Sequence, residues 1–88
     1  MCYVYILRSL KDNKFYTGYT SDLKRRISEH NSGIKSSTSY RLPLRLIYYE
    51  AYINQKDALG RELFLKSGSG KKYLRKQLKN YLAEIQPG

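Results

Sequence analysis

Two apolar runs split by a short polar stretch constrain this chain more than any other feature of it. YVYILRS (3–9) sets Tyr3, Tyr5 and Leu7 against Val4 and Ile6. Aromatic or β-branched residues on both alternations predict a strand buried on both faces. Lys11, Asp12 and Asn13 form a polar turn, and FYTGYT (15–20) predicts the returning strand of a hairpin. Gly18 within that second strand contributes no packing, which marks a bulge or a close approach to the backbone.

The rest of the chain has to cover this hairpin. Thr20 or Ser21 can cap a first helix running to about Asn31, with Asp22 placed for the helix dipole and Gly33 as its stop. The polar, serine-rich segment 34–43 reads as a loop long enough to be functional. LRLIYYEAYI (44–53) predicts a third strand, and Asn54 caps a second helix to about Lys66. A third helix starts near Ser69-Gly70 and reaches Ile85, with Leu74, Leu78, Tyr81, Leu82 and Ile85 on one stripe. The order predicts an α+β (α/β) domain over residues 1–88: a three-stranded, mostly antiparallel sheet flanked by three helices.

With 88 residues there is room for one core, and a net charge of +10 on so small a surface points to a polyanionic partner. Nucleic acid is the expected partner, and the charge does not separate DNA from RNA. An anionic lipid surface fits less well, because no anchoring apolar helix adjoins the basic residues. No run nears the roughly 18 apolar residues of a membrane span, and the first residues lack the pattern of a secretory signal. A lone cysteine, Cys2, excludes an internal disulfide and a cysteine-based zinc cage, so a cytoplasmic setting is predicted.

Pattern and chemistry disagree at a few positions. The first helix opens with Lys24, Arg25 and Arg26, where its dipole disfavours cations. Its core stripe runs through Leu23 and Ile27, which brings Arg26 and His30 onto or beside the buried edge, while Lys24, Arg25 and Glu29 read as solvated. On the second helix Ala58, Leu59, Leu63 and Leu65 mark the apolar side, with Glu62 among them. Glu62 is either a partner for Arg61, Lys66 or Arg26, or a carboxylate for a magnesium ion. Phosphodiester cleavage needs a group to activate water, cations for the developing charge and usually a divalent metal, and these side chains offer each. SGSGKK (67–72) lacks the spacing of a P-loop.

With these residues in register, the sequence resembles the GIY-YIG nuclease superfamily, most closely its small single-domain bacterial members. Tyr3-Val4-Tyr5 and Tyr16-Thr17-Gly18 stand where the two signature tripeptides belong, with Tyr5 and Tyr16 eleven residues apart. Arg26 lies ten residues beyond Tyr16, His30 follows a turn later, and Glu62 sits within GRELFLK. Tyr3 replaces the usual first glycine, and Tyr19 occupies the place of a lysine found in the incision subunit of nucleotide-excision repair. Asn80 is a possible counterpart of an asparagine near the end of the domain, and Gly60 has no evident role.

The resemblance implies a metal-dependent endonuclease acting on DNA, with weak sequence preference, recognition of structure, or a protein partner that supplies the target. The alternative is a nucleic-acid-binding module that does not cut. Tyr5 would be the general base or its helper, with its pKa lowered by Arg26 and the metal, and Tyr16 would hydrogen-bond in the same site. Arg26 would bind the scissile phosphate, His30 would assist proton transfer or orient Tyr5, and Glu62 would hold one Mg²⁺ or Mn²⁺. Nucleic acid would lie along Lys24, Arg25, Lys35, Arg41, Lys66, Lys71, Lys72, Arg75 and Lys76.

Overall fold

The hairpin forms as the alternation dictates, and it supplies the middle and one edge of the sheet. In the computed structural model, which describes residues 1–85, strands β1 (Cys2–Ser9), β2 (Phe15–Thr20) and β3 (Leu44–Tyr52) are antiparallel in the order β2-β1-β3. Among the described residues there are four α-helices: α1 (Leu23–Asn31) lies between β2 and β3, and α2 (Gln55–Lys66), α3 (Gly68–Gln77) and α4 (Lys79–Ile85) follow β3. No described helix is long and apolar enough to cross a membrane.

The central position of β1 explains its double-sided apolar pattern. Val4 and Ile6 join Ala58, Leu65 and Leu74 in one buried cluster, under α2 and α3. Tyr5 and Leu7 join Leu44 in the other, where Leu23 and Ile27 of α1 pack. The register breaks between Ile6, which pairs with Tyr48, and Leu7, which pairs with Leu46. Ile47 is therefore an extra residue, a bulge that turns both Ile47 and Tyr48 toward the first cluster.

Local chemistry sets the helix ends, with small departures from the sequence reading. The α1 cap is Asp22, not Thr20 or Ser21. Its extended backbone (φ −141°, ψ 92°) lets its carboxylate accept from the Arg25 amide at 3.1 Å. Gly33 ends α1 at φ +82°, a left-handed position that glycine takes without strain. Asn54 caps α2 as expected, accepting from the Lys56 amide. The expected single third helix begins at Gly68 and divides at Leu78, which leaves helical geometry (φ −103°, ψ 22°) as its side chain packs on the Val4 cluster. On α2, Ala58 and Leu65 are buried but Leu59 and Leu63 are exposed, so the expected apolar side is narrower than the spacing implied.

One ion-pair cluster locks β3 to α2. Glu50 accepts two hydrogen bonds from Arg61, at 2.8 and 3.0 Å, and further ones from the Tyr48 and Tyr52 hydroxyls. The Arg61 guanidinium also lies over the Phe64 and Tyr73 rings, 5.2 and 4.7 Å from their centroids. Arg61, offered by the sequence as a partner for Glu62, is thus committed to Glu50.

Candidate active site

Tyr5, Tyr16 and His30 meet on the α1 side of the sheet. Tyr5 pairs with Gly18 across the hairpin, and Tyr16 lies on the same face of β2. An atom in place of Gly18's missing side chain would fall on the Tyr5 hydroxyl and lie 2.9 Å from its Cε2, so the glycine makes room for the phenol over the edge strand. This is the close approach that Gly18 marked in the sequence. From α1, His30 reaches inward until its Nε2 is 3.0 Å from the Tyr5 hydroxyl. The Tyr16 and His30 rings stand edge to face with centroids 5.1 Å apart.

The other imidazole nitrogen, Nδ1, is 2.7 Å from the Thr38 hydroxyl, so a fully buried residue of the 34–43 segment belongs to the cluster. The sequence reading missed it. Its only signal was the richness of that segment in serine and threonine. The segment itself is tied down: Ser9 donates to the Arg41 carbonyl at 2.7 Å, and the Lys11 ammonium donates to the Tyr40 carbonyl.

The charges of Arg26 and Glu62 bear on the same phenol. The Arg26 guanidinium lies beside the Tyr5 hydroxyl, and the Glu62 carboxylate is near enough for its charge to act on the same phenol. Tyr5 is 0% and His30 1% exposed, whereas the Arg26 side chain is 36% and that of Glu62 17% exposed. The pair is sealed; the arginine and the carboxylate reach solvent.

Electrostatics correct one expectation. Tyr5 is not lowered toward neutrality. Burial first, then Tyr16 and more weakly Glu62, push it up to about 12 against the opposing pull of Arg26. Arg26 is only partly spent on Tyr5, because it also pairs with Glu29 at 3.3 Å. At neutral pH the phenol therefore holds its proton. His30 shifts the other way: burial, reinforced by Arg26 and Lys35 against a weaker effect of Glu29, holds it below its ordinary value of 6.5. It is a neutral imidazole at pH 7.

The His30 shift has a stability consequence with a definite sign. As pH falls through about 6.5 the unfolded chain takes up a proton that the folded protein refuses, so stability drops from there down to the lowered folded pKa. Above pH 7 the contribution is flat. Melting temperature measured against pH should fall across this window in the wild type and lose that slope in His30→Gln. The lowered Glu29 and Asp12 carboxyls act in a separate, more acidic range, below their ordinary values of 4.5 and 3.8.

Glu29 is the second correction. Read as an ordinary solvated position, it is a half-buried acceptor for Arg25 at 3.3 Å, Arg26 at 3.3 Å and Lys35 at 3.5 Å. The cationic opening of α1 is therefore held by a carboxylate one turn later. Arg41 is likewise engaged, with Asp12 at 3.1 Å and its side chain largely buried, so it acts as a clasp between two loops. It is not a free surface cation.

The remaining cations expected to meet nucleic acid do not share one surface: Lys24 lies beside Tyr3, Leu46 and Tyr49, whereas others border β2. Lys71 and Arg75 join Lys14 at the rim of a groove of about 760 Å³, floored by Phe15, Leu74 and Leu82, along the face of β2 opposite Tyr16. Lys24, Lys72 and Lys76 are exposed, and Lys66 is exposed while pairing with Glu62 at 3.2 Å. Tyr19 packs in the Val4 cluster, away from Tyr5, and donates to the Cys2 sulfur at 3.5 Å. Asn80 is exposed on α4, and Gly60 faces open space with no steric need for a glycine.

Among the described residues, Glu62 is the carboxylate whose charge acts on the Tyr5 phenol. Among the described residues no group of three or more His, Cys, Asp or Glu side chains comes together. That donor set does not suit a zinc or calcium cage. It suits a magnesium-like ion, which keeps several waters and takes one or two carboxylates plus phosphate oxygens.

Comparison with known proteins identifies the family of this fold. The GIY-YIG catalytic domain family matches residues 1–77. A UPF0213 protein of Streptococcus pyogenes serotype M3 is 40% identical, over 96% of this chain and 87% of its own length. Another UPF0213 protein, from Pediococcus acidilactici, is 44% identical over 89% of this chain and 81% of its own length. Among solved structures, the solution NMR structure of the UPF0213 protein of Bacillus halodurans superposes with a TM-score of 0.54. It is 40% identical and covers 88% of this chain and 85% of that one.

Proposed function

This chain belongs to the GIY-YIG family, together with the small UPF0213 proteins, and from that premise we propose that it is a divalent-metal-dependent endonuclease hydrolysing phosphodiester bonds in DNA. The observation that carries this reading is the hydrogen bond of Tyr5 to a neutral His30, with Arg26 beside the same phenol and the charge of Glu62 acting on it.

Arg26 exchanges its Glu29 partner for the scissile phosphate, which opens the hydroxyl behind it to water. A guanidinium suits this exchange because it presents the same donor fork to either anion. The attacking water gives its proton to the Tyr5 oxygen while Tyr5 gives its own to His30 Nε2. The water oxygen bonds to phosphorus, the bond to the leaving sugar oxygen breaks, and solvent protonates the departing oxygen. This relay needs no phenolate, which agrees with a phenol pushed up to about 12. A Mg²⁺ or Mn²⁺ held by Glu62, waters and phosphate oxygens would stabilise the charge developing on the phosphoryl group.

DNA reaches the site across the β2 edge, with Lys71 and Arg75 on one face and Lys24 and Arg25 on α1. Such phosphate-driven contacts give steep salt dependence and little sequence preference, so target choice falls to substrate shape or a protein partner. The cell interior is the proposed setting.

Sealing of Tyr5 and His30 favours a second reading, a binding module that does not cut. Plasmid, branched DNA and RNA incubated with Mg²⁺, Mn²⁺ or EDTA decide between them. Metal-dependent nicking of DNA, lost about 10²-fold or more in Glu62→Ala, is the expected result. Binding without cutting on every substrate and with either metal would establish the module instead.

A further inference from the structure

We propose that Thr38 is a positioning residue for His30: its hydroxyl accepts the Nδ1 proton, which leaves Nε2 bare to accept the proton of Tyr5. The Tyr5 hydroxyl carries one proton and is buried, so that proton needs an acceptor. The Arg26 guanidinium beside it is a pure donor and cannot serve. His30 Nε2, at 3.0 Å, is the acceptor that the described residues supply.

A neutral imidazole has one bare nitrogen and one protonated nitrogen. If Nε2 accepts from Tyr5, the proton resides on Nδ1, and Nδ1 points at the Thr38 hydroxyl 2.7 Å away. A hydroxyl can accept there, and the bond made by one ring nitrogen sets the state of the other. Thr38 is free for this task because its side chain makes no capping bond to the 3₁₀ turn it precedes, Ser39–Arg41. Its backbone is fixed at both ends: its amide donates to the Lys35 carbonyl and its carbonyl accepts from the Arg41 amide. The segment 34–43 thus acts from behind the site, holding the imidazole in the one tautomer that can take the phenol's proton.

The catalytic consequence rests on the proposed nuclease activity; the tautomer assignment does not. His30 is the only histidine in the chain, so its ring nitrogens are unambiguous in ¹⁵N NMR of the uniformly labelled protein without DNA. At a pH where the ring is neutral, the wild type is expected to show the proton on Nδ1 and a bare Nε2. In Thr38→Val the proton is expected to move at least partly to Nε2, and Thr38→Ser is expected to restore the wild-type spectrum. DNA cleavage should fall about 10²-fold in the valine variant and recover in the serine variant. A wild-type spectrum with the proton on Nε2 overturns the proposal, and that measurement needs no variant to fold. So does a Thr38→Val spectrum identical to the wild type. A chain with the expected tautomers and no cleavage sustains the role of Thr38 and removes the nuclease reading alone.

Discussion

Alanine at Gly18 is expected to abolish most DNA cleavage and to lower the melting temperature by about 10 °C. The added carbon would fall on the Tyr5 hydroxyl and lie 2.9 Å from its Cε2. Tyr5 has nowhere to retreat: it is buried in the Leu7–Leu44 cluster and its hydroxyl is bonded to His30. The ring has to swing out of line with Nε2, which breaks the proposed proton relay, and the repacking costs about 2 kcal/mol. Loss of the proposed relay is expected to cost about 10²-fold or more in rate. Thermal melts and nicking assays on the same preparation check both parts. Wild-type behaviour in both would show that the phenol has slack here that the structure denies.

Gly70→Ala carries the larger stability effect, about 3 kcal/mol or more, without touching any proposed site residue. Here the obstacle is backbone. A side-chain carbon would fall within the Phe64 carbonyl and lie 2.6 Å from the Leu65 Cα, so α3 would have to back away from the end of α2. That movement would draw Leu74 and Leu65 apart in the core they share. A drop in melting temperature of about 15 °C, or failure to fold, is expected. Gly60→Ala is the matched control. Its added carbon meets nothing within 4 Å, and alanine in a helix is favoured over glycine, so its melting temperature should hold or rise. Equal melting temperatures for the two variants would contradict the close packing of α2 on α3.

Much of this was legible because local patterns and global fold agree. The two-sided strand, the hairpin, the Asn54 cap and the Gly33 stop all follow from short-range chemistry, and the sheet forms around them. The inward turn of His30 was readable from helical spacing alone. What spacing cannot report is partnership across the chain. Thr38 lies eight residues beyond His30 in a segment without periodicity, and its burial depends on ties from Ser9 and Lys11. Glu29 looked solvated because its three cations come from both α1 and Lys35. Arg41 looked like a free basic residue because Asp12 sits in a turn 29 positions away. The sign of the Tyr5 shift was unreadable for a related reason: a sequence counts neighbouring cations but not the water that burial removes, and here burial prevails.

The central claim is that a phenol backed by a neutral imidazole takes up the proton of the attacking water. The most direct test is single-turnover cleavage of DNA with Mg²⁺ and protein in excess, comparing the wild type with Tyr5→Phe. Removing one hydroxyl leaves the ring's packing in place, so the variant should fold and bind DNA as the wild type does. Its cleavage rate should fall about 10²- to 10⁴-fold. A Tyr5→Phe protein that cuts at the wild-type rate would contradict the account.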